Sequence, residues 1–420
     1  MLKELMMDIK VSRNYLIAFC GLSLLFLMMT FISQYNPIKM ALMLALVVLI
    51  RKVPSNLSIK ARVIFILIFI YGIYGIYLGF YYQNPHPFLF VTIYCIYPFF
   101  FALFSLFLTK TEYFIKIVQV IFFAHLFIVF YDLVYAWGVL VGVDIPNIYT
   151  VEIPFSIYSD SSRMNFVNLN TLTFTTPVLF LLLLAKYEIG ISRIIQSIVL
   201  FATFFLLIIS GRRSVMLMMF VLPFIPFVFS GFFSKKVKTA LIRSTFIFLG
   251  ILCIVFFKIK SDNPELISGY SEVFMNAFDS GKEPIKFAQK EMLTQKFIEK
   301  PIFGQGSGAM FFEPAPGRMI FADQFELSYH YKLASTGIIG FILIVGTYLW
   351  VFFYGLYISR KNNDMIFLSF LIGYFFMLIA DATNPVLASF DLIWPIYLCL
   401  ARINYWEISK RTIQYNVVNI

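Results

Sequence analysis

Charge is scarce in this sequence. Asp, Glu, Lys and Arg make up 13% of the 420 residues and only three residues are His, against 60% that are hydrophobic. A water-soluble domain rarely tolerates so little charge, so an ordinary soluble enzyme is excluded and a polytopic membrane protein is expected. Cysteine is nearly as sparse. Cys20, Cys95, Cys253 and Cys399 all lie inside apolar runs, and no pair has metal-ligand spacing. That argues against a disulfide framework or a thiolate metal site. There is no His-Glu-x-x-His, no internal repeat and no low-complexity tract. No small-residue cleavage pattern follows the first apolar run, which therefore reads as a retained span.

What the chain has in abundance is long apolar sequence, with Phe alone at 52 residues. About 20 apolar residues cross a bilayer as a helix. On that rule the chain reads as all-α with about twelve transmembrane helices: 14–33, 37–50, 62–82, 88–109, 113–137, 168–186, 191–210, 214–231, 240–259, 329–358, 364–380 and 386–404. The second is short, and the fifth and tenth are long. Three parts follow: a nine-helix part over 1–259, one large loop over 260–328, and a three-helix part over 329–420.

The formal net charge of +11 suggests nucleic acid only until its distribution is considered. With the N-terminus inside, the inner segments hold 20 of the 33 basic residues and 6 of the 22 acidic ones, and all seven are net positive. The charge is a topology signal. It puts both termini in the cytoplasm and the large loop outside, and leaves no nucleic-acid patch. Ionisable residues then avoid the spans, apart from Asp132 and Asp391 near span ends.

The stretch Ile208–Val215 breaks that rule, because Arg212 and Arg213 fall on the outer face between two apolar segments. Charge retained beside a span is expensive and usually functional. A guanidinium presents a rigid fork of donors to phosphate oxygens, and the next helix N-terminus adds positive potential. One arginine alone could be the ligand while the other anchors to headgroups, or both could snorkel. Within the large loop, 285–300 reads as a helix stopped by Pro301. Gly304-Gln-Gly306-Ser-Gly308 then forms a turn needing positive φ or close backbone approach. It is a weak phosphate signal or a flexible re-entry into the membrane. Asp323, Glu326 and His330, spaced i, i+3, i+7, share one face if 323–333 is helical, where a carboxylate and an imidazole could act as base. A solvated helix start is the alternative. Arg163 with Asn168 and Asn170 could bind phosphate or sugar hydroxyls, or cap the sixth span. His86 and His125 read as structural. Asp381 and Asn384-Pro385 read as a turn cap or a cavity wall.

Four of these pieces in order, Arg163…Asn168-Leu-Asn170, Ser210-Gly-Arg-Arg213, Lys300-Pro-Ile-Phe-Gly304-Gln-Gly306-Ser-Gly308 and Ser335-Thr-Gly337-Ile-Ile-Gly340, resemble the O-antigen polymerase and O-antigen ligase superfamily over nearly the whole chain. The resemblance implies a GT-C-like, cofactor- and metal-independent glycosyltransferase of the bacterial inner membrane. Its active site would be periplasmic and its donor an undecaprenyl-diphosphate-linked oligosaccharide. Arg213 matches the arginine of the family's Ser/Thr-x-Arg turn. Lys286, fifteen residues before Pro301, stands where an arginine is usual, and keeps the charge. The ligase branch has His-Asn at the positions held here by Glu326 and Leu327, and His330 lies one turn later, which favours the polymerase branch.

The chemistry expected is diphosphate held by Arg212, Arg213, Lys286 and Arg163, and sugar by Asn168 and Asn170. Glu326 or Asp323 would take the acceptor proton, with His330 the other candidate base. Membrane lipids and a chain-length regulator protein are the other expected partners. The rival readings are the ligase, which moves chains to lipid A core, and a lipid-linked sugar transporter or flippase, which would carry charges at mid-membrane and broken helices in matched halves.

Overall fold

The computed structural model describes residues 2–50, 57–107, 111–149, 155–157, 164–166, 168–210, 213–239, 242, 284–309, 311–312, 319–320 and 325–418. Over these the chain is helical apart from two ladders of two or three residue pairs. In order the elements are α1 (Leu2–Thr30), α2 (Asn36–Leu49), α3 (Ile59–Tyr81), a π-helical segment (Val91–Ile96) running into α4 (Tyr97–Phe107), and α5 (Thr111–Val141). Strands β1 (Phe155–Ile157) and β2 (Met164–Phe166) pair antiparallel before α6 (Leu169–Leu184). Then come α7 (Arg193–Ser210), α8 (Arg213–Val221) and α9 (Ile225–Val228), the loop helix α10 (Pro284–Glu299), and the antiparallel strands β3 (Phe311–Phe312) and β4 (Met319–Ile320). The chain ends in α11 (Ser328–Asn362), α12 (Met365–Asp381) and α13 (Trp394–Val418).

Three helices, Ile59–Tyr81, Tyr113–Gly138 and Ser328–Asn362, are long and apolar enough to cross a membrane. Shorter apolar helices, including Leu169–Leu184, Arg193–Ile208 and Met365–Asp381, pack with them. The outer surface is apolar: Ile194, Phe19 and Phe220 are 72%, 68% and 74% exposed. Soluble monomers rarely show such continuous apolar surface, and the arrangement is that of an all-helical protein compatible with a bilayer. Burial is deepest along α6, α12 and the first half of α13. Gly373 brings α12 so close to α6 that a Cβ there would stand 2.7 Å from the Phe174 carbonyl oxygen.

Several helices are not the uniform spans that the sequence suggests. The span over 88–109 begins as the π-segment. The one over 214–231 breaks at Val221 into a 3-10 turn, where Pro223 and Pro226 withhold backbone donors. The tenth, 329–358, is broken at Gly337, whose φ of 62° and ψ of −168° are open only to glycine. Most of the ninth, 240–259, lies outside the described residues. The loop helix begins and ends within one residue of the range read from sequence.

The break at Gly337 is filled by the glycine turn. Gln305 and Gly306 donate their backbone N–H groups to the Ala334 and Ser335 carbonyls at 2.9 and 2.7 Å, and Ser307 donates to Gly75 of α3 at 2.8 Å. Ile338 donates in return to Pro301 at 2.9 Å. Gly304, Gly306 and Gly308 all have positive φ. Any Cβ on them would strike backbone: Gly337 for the first, Gly79 and Leu78 for the second, His86 for the third. Asn84 clamps the turn through the Gln305 and Ser307 carbonyls, at 2.9 and 3.0 Å. The turn is thus neither a flexible re-entry nor a phosphate cradle, because the donors of 305–307 are spent on protein carbonyls. It is a seam joining α3 to α11.

The bundle has two chemically different ends. At one, Lys60 meets Tyr354 and Glu407, and Arg402 donates to Asp364 at 2.6 Å. Asp364 also caps α12 through the Phe367 N–H and accepts from Trp406. Arg360 lies over Phe229 at this end. The other end gathers the C-termini of α1, α3 and α12 and the N-termini of α2, α6 and α11.

Candidate functional site

This second end holds a cavity of about 760 Å3. Its walls come from the start of α2, the π-segment and α4, and the loop 384–392 after α12. Cavities of this size that mix apolar walls with a few fixed polar groups are the usual form of ligand sites. The apolar part includes Met43, Ile96, Phe100 and Phe390, and the polar part Asn36, Asn170, Asn384, Ser389 and Thr92. Between them sits a buried ion pair. Lys39 Nζ donates to Asp391 Oδ1 at 2.6 Å, with the two side chains 1% and 4% exposed. Lys39 also donates to the Phe31 carbonyl, and Asp391 accepts from the Ser33 N–H, both at 2.6 Å. The pair therefore pins α2, the α1–α2 turn and the 384–392 loop together.

A second buried pair lies nearby. Lys332 Nζ donates to Asp381 Oδ2 at 2.7 Å and to Ser328 Oγ, which itself donates to Asp381. Asp381 Oδ1 accepts from the Leu387 N–H at 2.9 Å. Asp381 is thus both the turn cap read from sequence and the counter-charge of Lys332. Pro385 and Ala388 separate a small void over Lys332 from the larger cavity, lining both. These lysines correct the expectation that ionisable residues avoid the spans. Each is retained because a carboxylate fixed by backbone N–H donors neutralises it.

The residues singled out from sequence are distributed unevenly. Asn170 lines the cavity. Asn168 is fully buried, and its amide donates to the Thr30 carbonyl at 3.0 Å and to the Tyr149 hydroxyl at 2.6 Å; it starts α6 without a side-chain cap. Burial pushes the Tyr149 phenol up, with Asp132 and Tyr131 adding to it, so the group stays neutral as Asn168's acceptor. Arg213 opens α8, and Lys286 lies in the first turn of α10. Arg163, Arg212 and Asp323 lie outside the described residues.

Glu326 precedes α11 rather than riding on it. Its N–H donates to Gln289 of α10 at 3.3 Å, and Leu327, with φ of −94° and ψ of 70°, is the residue before the helix. Glu326 and His330 therefore share no helix face, since α11 begins only at Ser328, and Phe325 packs on Phe311 and Tyr331 just ahead of it. His330 is half-buried in the first turn of α11. His125 is structural in its bonding: its ring nitrogens meet Thr175 and Thr203 at 2.7 Å each, tying α5 to α6 and α7. The two threonine hydroxyls also donate to the Thr171 and Val199 carbonyls, at 3.1 and 2.7 Å.

Lys300 closes the seam from the loop side, its Nζ 3.1 Å from the centre of the Tyr82 ring. Burial there lowers its pKa, Lys296 adds to the lowering and Glu299 opposes it.

The sequence reading missed Lys39 and Lys332. A signal existed, since each is a lone cation in an otherwise apolar run on the side where cations are disfavoured. Their partners, 352 and 49 residues away, carried no local sign. Among the described residues no group of three or more His, Cys, Asp or Glu is placed to hold a metal. Compared with known protein families and with curated proteins, the chain matches none.

Proposed function

We propose that this chain is an O-antigen or related surface-polysaccharide polymerase. It would be a twelve-span, GT-C-like glycosyltransferase of the bacterial inner membrane, joining undecaprenyl-diphosphate-linked repeat units at the periplasmic face. The observation that carries the reading is convergence. Of the described motif segments, the glycine turn packs into α11 at Gly337 and against the C-terminal part of α3, and Asn170 lines the cavity. If the basic end is cytoplasmic, as the charge distribution requires, the cavity opens to the periplasm. The physical contact between the glycine turn and Gly337 also gives two of the four resembling motifs a common reason to exist.

In this mechanism the bond between the anomeric carbon and the phosphate oxygen of the donor breaks, and the acceptor hydroxyl forms the new glycosidic bond. The hydroxyl proton passes to Glu326 or Asp323, with His330 the alternative base. Negative charge grows on the departing diphosphate, and Arg212, Arg213, Arg163 and Lys286 stabilise it in place of a metal. Holding both lipid-linked chains at one membrane face supplies proximity. A chain-length regulator is the natural protein partner of such a reaction.

The test is to supply purified protein with a lipid-linked repeat unit alone. A polymerase yields a ladder without lipid A core, a ligase requires that acceptor, and product-free movement of the lipid sinks both. In cells, Arg213→Ala should leave single repeats on lipid A core; normal chain lengths with expression confirmed would remove the arginine from the mechanism. Glu326→Gln with wild-type turnover would exclude that carboxylate as base.

A lipid-linked sugar transporter is favoured by one observation, the buried pairs Lys39–Asp391 and Lys332–Asp381, whose lysines lie in apolar helices. Both pairs lie at one end of the bundle, however, rather than at its middle.

A further inference from the structure

We propose that the cavity between α2, the π-segment and the 384–392 loop is a saccharide subsite, taking an uncharged, hydroxyl-rich stretch of glycan rather than the diphosphate. The inference rests on the polymerase reading for its biological substrate, but its physical argument is independent of catalysis.

The first part of that argument is charge. The ionic groups of the cavity wall are Lys39 and Asp391, and they are spent on each other at 2.6 Å. A paired ammonium offers a dianion no net attraction, and Asp391 would repel it at close range. Sugar hydroxyls suffer no such penalty, because each can donate to a carboxylate oxygen or accept from an ammonium without disturbing the pair.

The second part is the polar inventory. Asn36, Asn170 and Asn384 supply amides, groups that both donate and accept, and Ser33, Ser389 and Thr92 add hydroxyl-bearing residues to the lining. Side chains of this kind match an array of alternating donors and acceptors, which is the surface of a sugar ring. The third part is the apolar wall. Tyr97 and Phe390 pack at 5.0 Å with their rings tilted by 56°, and with Phe100 they line the cavity with aromatic surface against which the C–H face of a pyranose can lie.

The fourth part is the backbone. Thr92 and Ile96, both on the cavity wall, belong to the π-segment, where Tyr97 N–H bonds back to the Thr92 carbonyl. Single π turns inside α-helices are rare and are frequently found at functional sites. Here the π turn itself contributes Thr92 and Ile96 to the cavity wall.

Binding is tested directly, with full-length protein in nanodiscs and a panel of lipid-free bacterial surface oligosaccharides, neutral and acidic, and with inorganic pyrophosphate as competitor. At least one neutral glycan should bind. Thr92→Trp, a substitution at an exposed position that fills the space, should weaken that binding at least tenfold, and Asn384→Leu severalfold. Pyrophosphate in excess should not displace the glycan. A monodisperse profile and an unchanged unfolding transition confirm that the variants fold. The proposal is overturned if no neutral glycan binds, if Thr92→Trp binds as wild type does, or if pyrophosphate displaces the glycan. Glycan binding in protein that forms no ladder from lipid-linked repeats keeps the subsite and rejects the polymerase. A ladder from protein whose glycan affinity ignores Thr92→Trp does the reverse.

Discussion

Removing one member of the Lys39–Asp391 pair should cost far more than removing both. In Lys39→Met, the Asp391 carboxylate stays buried and keeps the Ser33 N–H as a donor. In Asp391→Leu, the Lys39 ammonium keeps the Phe31 carbonyl alone. An uncompensated buried charge of this kind costs about 3–5 kcal/mol. In the double variant both charges are gone, and what is lost is one hydrogen bond at each of Ser33 and Phe31, about 1–3 kcal/mol together. The double variant should therefore be more stable than either single one, with a coupling energy of several kcal/mol. The assay is equilibrium unfolding in mixed micelles with increasing SDS, read by far-UV circular dichroism and by a tertiary probe. Additive effects would show that the two groups act independently. Single variants within about 1 kcal/mol of wild type would show that water already solvates the pair, and that the cavity wall is not the dry, self-neutralised surface on which the saccharide argument rests.

Gly306→Ala should destabilise by about 3–5 kcal/mol in the same assay. A positive φ of 86° strains any other residue by about 1–3 kcal/mol, and a Cβ 2.6 Å from Gly79 N must displace hydrogen bonds worth about 1 kcal/mol each. Gly346→Ala, where a Cβ meets nothing within 4 Å, should be neutral or stabilising by up to about 1 kcal/mol; equal effects at both sites would refute the seam. Lys332→Met should destabilise by about 3–5 kcal/mol because Asp381 remains buried, and adding Asp381→Leu should recover part of that loss. EDTA should leave ladder formation from lipid-linked repeats unchanged; abolition, with restoration by a divalent cation, would replace the arginines as the source of charge stabilisation.

The sequence made the helical, apolar character of the chain plain, and it marked Pro301 as the stop of the loop helix. It also separated the two ends, since Lys60, Arg360 and Arg402 do gather together. Apolar content alone could not show where helices are interrupted. Gly337 sits in a run that reads as continuous span, and its break becomes visible only with the glycine turn packed into it. The glycines were recognised as conformationally special, but the reason, backbone against backbone at Gly79, Gly337 and His86, is a tertiary fact. For the site, Asn170 and Asn384 were legible as polar residues at span ends, whereas the cavity depends on Lys39 and Asp391 meeting across almost the entire chain. A shared face for Glu326 and His330 depended on helix through both, and α11 starts only at Ser328, after Phe325 has packed on Tyr331.

The widened turn over Val91–Ile96 has a consequence for how this protein tolerates change. It holds about one residue more than a regular helix of the same rise would need. Deleting that surplus residue would restore ordinary pitch and swing everything upstream or downstream through roughly 100°. Phe101 would leave its stack on Tyr397, 4.5 Å away, or Phe90 its edge contact with Tyr94. Point substitutions here can resize the hollow, but a single-codon deletion would erase it, so its existence is encoded in chain length as much as in chemistry.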